Sequence, residues 1–384
     1  MKRSTERILT THVGSIRRPP ELRDLIRARE AGEPYDAEAL DARLQEAVAD
    51  VVRRQVEAGI DVVNDGEMGK SSFLYYVAER LTGVERRPLP PGPMRLSAQD
   101  EHAFPEYYRE SRGFAGGAAG PRPVCAGPLA YKGMSLLEIE LANLRAAVDE
   151  HGGRIAEAFV PSIGPGSLAC SMANDYYRSE EEYVGAIAEA MKTEYRAIIA
   201  AGFIVQIDDP WLPAEFANID PPISPEASRR RWEPRVEALN QGLSGLPEDR
   251  IRLHICWGSW HGPHAFDLPL REVLPLLFKA KVGAYSVEGA NARHEHEYHV
   301  WEDVRLPEGK LLIPGIVAHA TDHVEHPDFA AERLARYATR VGRENVIGGA
   351  DCGFARAHAH PSVMWAKFRS LAAGARLASE ALWR

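Results

Sequence analysis

The sequence predicts an α/β protein that forms a single (β/α)8 TIM-type barrel. Strand-like apolar segments alternate with helix-like segments along almost all of its 384 residues, which is typical of a parallel sheet with helical crossovers. Polar residues directly follow six of the predicted strands, where the chemistry of such barrels collects. No polar linker divides the chain, so we expect one domain over residues 1–384.

Nine apolar segments predict strands, whereas a closed barrel of this type holds eight. They are 8–14, 61–65, 123–128, 157–163, 203–208, 251–256, 284–288, 311–317 and 345–349. We interpret 123–128 as accessory because it follows an irregular segment. Apolar residues at helical spacing, such as Leu40, Leu44 and Val48, predict helices between the strands. These are 37–58, 135–150, 180–201, 225–243, 268–280, 328–341 and 361–380.

Residues 85–122 predict an irregular insertion because they are rich in Pro, Gly and Arg. A long loop inside a compact domain tends to be a lid or an interface arm. Its aromatic residues, including Phe104 and Tyr107, suit docking against a barrel mouth or a second subunit. We therefore expect the insertion to close the pocket of its own or a neighbouring chain, and we favour a homo-oligomer over a monomer.

Composition limits the classes of partner. The net charge of −9 and pI near 5.9 argue against nucleic acid or an anionic membrane. No apolar run reaches the length of a membrane span, and the N-terminus has no apolar signal-peptide core. The four cysteines show no paired spacing, so we expect reduced thiols and a cytoplasmic protein.

His254 and Cys256 are the first pair of candidate metal ligands. On a strand over 251–256 they would point to the same face. Zinc prefers imidazole and thiolate, and a catalytic zinc needs only three protein ligands. The alternative is that Cys256 is a buried small hydrophobe and His254 a hydrogen-bonded core histidine. A further thiol follows strand 345–349 in Asp351-Cys352-Gly353, which favours the metal site.

Six groups of polar residues follow predicted strands in a definite order. They are Gly14-Ser15, Asp65-Gly66-Glu67, Gln206-Ile207-Asp208-Asp209-Pro210, His254-x-Cys256, Ser286-Val287-Glu288 and Asp351-Cys352-Gly353. In this order they resemble the catalytic barrel of the cobalamin-independent methionine synthase family, over nearly the whole chain. The overall form is closest to the single-barrel, methionine synthase II-like members. The wider group includes epoxyalkane:coenzyme M transferase.

The resemblance implies two sets of site residues. The implied zinc ligands are His254, Cys256, Glu288 and Cys352. The implied binding residues for the amino-acid end of a homocysteine-like thiol are Gly14, Ser15, Glu67 and Asp208. The chemistry agrees, because the thiolate is the nucleophile and zinc coordination deprotonates a thiol. Carboxylates suit an ammonium group, whereas a sulfonate would need Arg or Lys.

The chain departs from the family pattern on the donor side. Where the family places a Trp beside the pterin, this chain has Ser171, and Trp211 or Trp257 would have to replace that ring. The Asp and His that the family uses for proton delivery are also absent after strand 311–317. We expect His319 or His323 to take over this role.

A second histidine-rich segment, His294-Glu295-His296-Glu297-Tyr298-His299, also has the composition of a metal site. On a helix, however, histidines two positions apart diverge. We therefore interpret this segment as solvated or supporting side chains rather than as ligands. His261 and His264, which follow the His-x-Cys strand, are better placed to line a pocket.

Three functional hypotheses follow. The first is zinc-dependent methyl transfer from a methyltetrahydrofolate-type donor to homocysteine. The second is alkyl transfer to a zinc thiolate from an epoxide or another small donor, as in epoxyalkane:coenzyme M transferase. The third is a non-catalytic barrel that binds zinc or a ligand without turnover. Acidic or basic thiol-binding groups distinguish the first two. The third predicts zinc with no open coordination site, and the strand-end carboxylates argue against it.

Overall fold

The barrel expected from the sequence is present in the computed structural model, which describes residues 1–88, 97–111, 121–259, 262–355 and 360–384. The strands in these ranges are β1 (Leu9–Thr10), β2 (Val62–Val63), β3 (Val84–Arg87), β4 (Arg122–Cys125), β5 (Glu157–Ile163), β6 (Ala173–Asn174), β7 (Ile204–Asp208), β8 (Ile251–His254), β9 (Ala284–Val287), β10 (Leu311–Val317) and β11 (Ile347–Ala350). The helices are α1 (Pro20–Ala31), α2 (Ala37–Ala58), α3 (Val77–Arg80), α4 (Ala98–Ala103), α5 (Pro105–Ser111), α6 (Met134–Asp149), α7 (Pro165–Ser171), α8 (Glu180–Ala200), α9 (Trp211–Asn218), α10 (Pro225–Gly242), α11 (Leu270–Leu277), α12 (Val300–Asp303), α13 (Pro327–Val341) and α14 (Pro361–Leu382).

Eight of the described strands form the barrel in the order β1-β11-β10-β9-β8-β7-β5-β2. The recorded ladders between these neighbours are all parallel. Two hydrogen bonds join β1 to β2 at the remaining edge. The Asp61 backbone NH donates to the Thr10 carbonyl over 3.1 Å, and the Thr11 hydroxyl donates to the Val62 carbonyl over 2.9 Å. The predicted (β/α)8 fold is therefore confirmed.

A separate small sheet packs outside the barrel in the order β3-β4-β6. Its central strand β4 covers the first half of the segment that we interpreted as accessory, and that interpretation is confirmed. The described part of the insertion is more regular than its composition suggested, because it also contains α4 and α5. The rest of the insertion, residues 89–96 and 112–120, lies outside the described residues.

Helix boundaries were easier to predict than strand lengths. Helix α2 begins after Asp36, whose side chain accepts from the Ala39 NH, and ends at Gly59 in the left-handed conformation, as expected for an N-cap and a C-cap. In contrast, β1 and β2 are two residues long rather than the five to seven predicted from the pattern. The chain leaves the sheet early there because the following residues form turns at the barrel mouth.

A buried arginine cross-links the barrel interior below this mouth. The Arg252 guanidinium lies 3.4 Å from the Phe159 ring centroid. It donates to the Gln206 side chain over 2.7 Å and to the His12 carbonyl over 2.8 Å. The Gln206 amide in turn donates to the Asp208 carboxylate over 2.7 Å. The interior network thereby fixes a carboxylate at the end of β7.

Among the described residues, no helix has both the length and the apolar character needed to cross a membrane.

Candidate active site

Three potential metal ligands converge at the ends of β8 and β11. The ligand atoms of His254, Cys256 and Cys352 all lie within 4.8 Å of one another, and the two sulfurs are 3.5 Å apart. Strand β8 ends at His254, so Cys256 lies two residues beyond the strand rather than within it. Gly353 is needed beside Cys352, because a Cβ there would meet the Ser15 Oγ at 2.1 Å.

The donor set fits a zinc ion. His254 is 2% exposed, and its Nδ1 lies 3.2 Å from the Ser286 hydroxyl. Its Nε2 is buried and has no hydrogen-bond partner among the described residues, so this nitrogen is free to bind a metal. Two thiolates on a tetrahedral zinc, with Zn–S bonds of about 2.3 Å, would lie about 3.8 Å apart, close to the observed spacing.

The two thiols differ in acidity because they share one hydrogen bond. This bond lowers the pKa of Cys352 well below its ordinary value, and the imidazoles of His254 and His319 act in the same direction. The same bond, together with burial, raises the pKa of Cys256. One of the two thiols is therefore readily deprotonated, and a bound cation would favour deprotonation of the other.

Glu288, the fourth ligand implied by the resemblance, lies beside this cluster but is not one of the three converging groups. Its Oε1 accepts from the Trp257 backbone NH over 2.9 Å, and its Oε2 accepts from the Asn291 amide over 2.6 Å. Burial raises the pKa of Glu288 well above its ordinary value, and the charges of Asp351 and Cys352 add to this effect.

Asn291 and Asp351 hold the strand ends of β9 and β11 together. The Asp351 Oδ1 accepts from the backbone NH groups of Gly289 and Ala290, each over 2.8 Å, and its Oδ2 accepts from the Asn291 amide over 3.0 Å. Asn291 therefore contacts both Glu288 and the neighbour of Cys352. Asn291 could not be singled out from the sequence, because an asparagine after a strand is an ordinary turn residue.

Glu67 and Gly14 form the wall opposite the metal ligands. Glu67 has φ of 56°, a conformation that is unusual outside glycine and that clusters at functional sites. Its carboxylate Oε2 is buried without a partner, and burial raises its pKa to about 7. Gly14 has φ of 138°, and a Cβ on it would meet Glu67 Oε1 at 3.0 Å. A side chain at residue 14 would therefore crowd this carboxylate.

Asp208 links the two walls of the site electrostatically. Burial raises its pKa to about 6. The charges of His254 and Lys70 lower this pKa, and the charge of Cys352 raises it. The charge of Asp208 in turn raises the pKa of Glu67. Asp208 also pairs in register with His254 across β7 and β8, so it lies beside a metal ligand, as a group that binds the polar end of a metal-bound thiol should.

Lys70 is a charged neighbour that the sequence did not reveal. Its ammonium is 2% exposed, donates to the Pro161 carbonyl and lowers the pKa of both Glu67 and Asp208. Nothing in the local sequence distinguishes Lys70 from a surface lysine.

The two candidate proton donors are in different environments. His319 is 3% exposed, its Nδ1 has no hydrogen-bond partner, and its charge would lower the pKa of Cys352. His323 is exposed, and its ring faces the Thr321 hydroxyl at 3.2 Å. Only His319 is therefore placed beside the metal ligands.

The histidine-rich segment after β9 contributes one buried histidine, His294. The His294 ring stacks on Trp257 with centroids 4.0 Å apart. Its two nitrogens lie 3.1 Å from Asp267 and 2.9 Å from Glu297. His264 lies 3.1 Å from the same Asp267 carboxylate, whereas His261 is outside the described residues. His294 thus supports the site rather than facing solvent.

A cavity of about 590 Å³ lies beside the end of β7, between α7, α9, α10 and the small sheet. Trp211 and Ser171 both line it, whereas Trp257 is buried in the stack with His294. Its charged lining residues are four arginines and two glutamates: Arg122, Arg178, Arg231, Arg235, Glu180 and Glu215. Arg235 pairs with both glutamates, and Arg231 pairs with Glu215. Arg122 and Arg178 have no ion pair within the described part of the chain.

Helix α4 of the insertion bridges the cavity and the metal site. The Gln99 side chain donates to the Phe216 carbonyl in α9 over 2.9 Å. The Asp100 carboxylate accepts from the Ala265 NH over 3.0 Å, in the loop that contains Asp267. This part of the insertion therefore docks on its own chain. The homo-oligomer that we expect from the sequence stays a prediction.

Comparisons with known proteins agree with this architecture. Residues 8–87 match the family model described as cobalamin-independent synthase, catalytic domain. A methionine synthase from Sulfolobus acidocaldarius is 26% identical over 313 residues, covering 77% of this chain and 79% of the relative. A methionine synthase from Sulfurisphaera tokodaii is 26% identical over 347 residues, covering 90% and 85%.

Two solved structures share the fold over almost their full lengths. A B12-independent methionine synthase from a Shewanella species, in complex with selenomethionine, has a TM-score of 0.74 at 21% identity and covers 98% of this chain and 99% of that one. A putative vitamin-B12-independent methionine synthase from Listeria monocytogenes has a TM-score of 0.66 at 20% identity, with the same coverage. The matched family model, the relatives and the ordered strand-end residues all show that this chain is similar to the cobalamin-independent methionine synthases.

Proposed function

We propose that this protein is a zinc-dependent thiol methyltransferase that converts homocysteine to methionine with a methyltetrahydrofolate-type donor. The observation that carries the proposal is the convergence of His254, Cys256 and Cys352 at the same barrel mouth as the buried carboxylates Glu67 and Asp208. The match to the family model and the names of the relatives support the same reaction.

Zinc would be held by His254, Cys256 and Cys352, with Glu288 as the fourth protein ligand, and would keep a coordinated thiol deprotonated at neutral pH. Glu288 could keep its hydrogen bond from the Trp257 NH in this role, because a carboxylate has lone pairs for both a donor and a metal. The four residues remain a proposal, and the buried Nε2 of His254 is the feature that most favours it.

Glu67 and Asp208 would bind the ammonium group of homocysteine, and the Gly14-Ser15 turn would lie against its carboxylate end. Both acids have raised pKa values, of about 7 and about 6, so an arriving ammonium would favour their ionised forms. A sulfonated thiol such as coenzyme M would meet these carboxylates with like charge. The acids therefore favour the amino-acid thiol over the coenzyme M alternative.

The alkyl donor would occupy the cavity beside β7, where Trp211 supplies an aromatic face in place of the one missing at Ser171. The two arginines without ion pairs, Arg122 and Arg178, suit a donor that carries carboxylates. In the transfer, the sulfur–methyl bond forms as the donor's nitrogen–methyl bond breaks, and the leaving nitrogen takes up a proton. We assign delivery of that proton to His319, because it lies beside Cys352 whereas His323 is exposed.

The test is a product assay with purified, zinc-loaded protein. Homocysteine and coenzyme M are each offered with 5-methyltetrahydrofolate, its triglutamate, S-adenosylmethionine, S-methylmethionine and epoxypropane, and products are identified by mass spectrometry. We expect methionine from homocysteine and a methyltetrahydrofolate, with loss of the reaction in Asp208→Asn. Turnover only with coenzyme M and epoxypropane would replace this proposal by the epoxide reaction, and no turnover with any pair would contradict both.

A further inference from the structure

His294 is a buried, fully hydrogen-bonded histidine that the proposed reaction does not use. It is 3% exposed and belongs to the histidine-rich segment that we expected to be solvated or supporting. Exposed His299, from the same segment, contacts Glu302 at 2.9 Å instead. The two histidines thus provide an internal comparison between a buried and an exposed position of the same segment.

The contacts of His294 all lead to the metal site. Its ring stacks on Trp257 at 4.0 Å with an interplanar angle of 25°. Trp257 follows Cys256 directly, and its backbone NH donates to Glu288 over 2.9 Å. The Trp257 indole NH donates to the Leu268 carbonyl over 2.7 Å, which fixes the ring from its other end.

The hydrogen bonds of His294 tie three segments together. Asp267 belongs to the loop after β8, and Glu297 belongs to the histidine-rich segment after β9. Each carboxylate has a further fixed contact, from His264 to Asp267 and from the Leu270 NH to Glu297 over 2.6 Å. These two carboxylates and Glu288 together raise the pKa of His294 to about 10, so the ring donates from both nitrogens.

We propose that His294 is a positioning residue for the metal site, which clamps the Trp257 ring and thereby sets the backbone NH that orients Glu288. This inference rests on the proposed metal site and adds to it a residue that does not touch the metal. Groups that orient metal ligands typically change metal affinity about 10- to 100-fold when they are removed. A side chain needed only for packing would change the stability of the metal-free fold instead.

The test measures metal binding without any substrate. Zn²⁺ dissociation constants are obtained by chelator competition for wild type, His294→Phe, Asp267→Asn and the control His299→Phe, and Co²⁺ spectra report the thiolates and the coordination geometry. We expect about a 10- to 100-fold weaker Zn²⁺ affinity in His294→Phe, a smaller loss in Asp267→Asn and no change in His299→Phe. The Co²⁺ d–d bands should change in His294→Phe while its thiolate charge-transfer bands persist.

Three outcomes separate the proposals. If the wild type binds Zn²⁺ tightly and both the His294→Phe and Asp267→Asn proteins match it within twofold, this inference is overturned and the proposed function is untouched. If the wild type binds no Zn²⁺ or Co²⁺, the proposed metal site fails and this inference falls with it. Should His294→Phe not fold, the Asp267→Asn protein decides, because it removes the carboxylate charge that holds His294, and an unchanged affinity there overturns the clamp.

Discussion

The metal-binding half of the site and the cavity beside it are built in different ways. The metal half is formed by residues at strand ends, and its groups are buried and hydrogen-bonded to one another. The cavity is formed by helices α7, α9 and α10 and by the small sheet, and two of its arginines form no ion pair with any residue that the structure describes. Strand ends of a barrel must converge, whereas helix surfaces and insertions need not. The contrast suggests that the thiol end is the fixed part of this scaffold and the donor end the adaptable part.

The largest expected effect comes from removing a thiol on the metal side. In Cys352→Ser we expect loss of stoichiometric zinc and of all measurable methyl transfer with the fold retained, because only two thiolates are available there. Metal content is measured by mass spectrometry after gel filtration, and the fold by circular dichroism. The matched control is Cys170→Ser, which alters a thiol of the cavity and should keep its zinc. Full zinc occupancy in Cys352→Ser would remove the distinction between the two regions.

The metal half was open to prediction from sequence for a physical reason. Parallel strands deliver their carboxyl ends to one mouth, so polar residues that follow several strands must lie near one another. Cys256 and Cys352 are 96 positions apart and yet have sulfurs 3.5 Å apart. The accessory role of β4 also followed from counting strands against the eight that a barrel holds.

The supporting residues could not be predicted, because their roles depend on burial. Lys70, Asn291 and Asp267 carry no local pattern that distinguishes them from surface or turn residues. The short helices α7 and α9, which line the cavity, were missed because seven or eight residues give too little periodicity. Trp211 was only one of two alternatives until the structure placed Trp257 in the stack with His294.

The second expected effect is a pH-dependent gain of stability in Glu67→Gln. Because burial raises the pKa of Glu67 from 4.5 to about 7, its contribution to folding is fully present below pH 4.5 and is lost as pH rises through 7. A shift of this size corresponds to about 3 kcal/mol. Metal-free Glu67→Gln should therefore exceed the wild type in free energy of unfolding by up to that amount at pH 8, and match it at pH 4.5.

Urea unfolding at the two pH values measures this difference, with the exposed Glu308→Gln as the control. The same variant should bind homocysteine more weakly, since it lacks a carboxylate for the ammonium. A stability gain that did not depend on pH would show that the folded protein does not disfavour the ionised form of Glu67. Burial of this carboxylate on the metal side would then cost less free energy of folding than we expect.

A third, smaller effect is expected in the cavity. Arg122 has a buried Nε without a hydrogen-bond partner, so Arg122→Gln should raise the KM for 5-methyltetrahydropteroyltriglutamate about tenfold, or about 1.4 kcal/mol. The KM for homocysteine and the zinc content should not change. Arg305→Gln, at an exposed position away from the cavity, is the control. A parallel rise in the homocysteine KM would show that the two halves are not separate binding regions.

The smallest expected effect concerns helix α4, which touches both regions. Its Asp100 accepts from the Ala265 NH beside the metal half, while Gln99 is bonded to α9 at the cavity. One such hydrogen bond contributes about 0.5–1.5 kcal/mol, so Asp100→Ala should lower kcat/KM for both substrates about threefold without loss of zinc. His102→Ala, an exposed change on the same helix, should have no effect. Steady-state kinetics with each substrate varied in turn would show whether α4 couples the two halves, because an effect on one substrate alone would assign the helix to a single region.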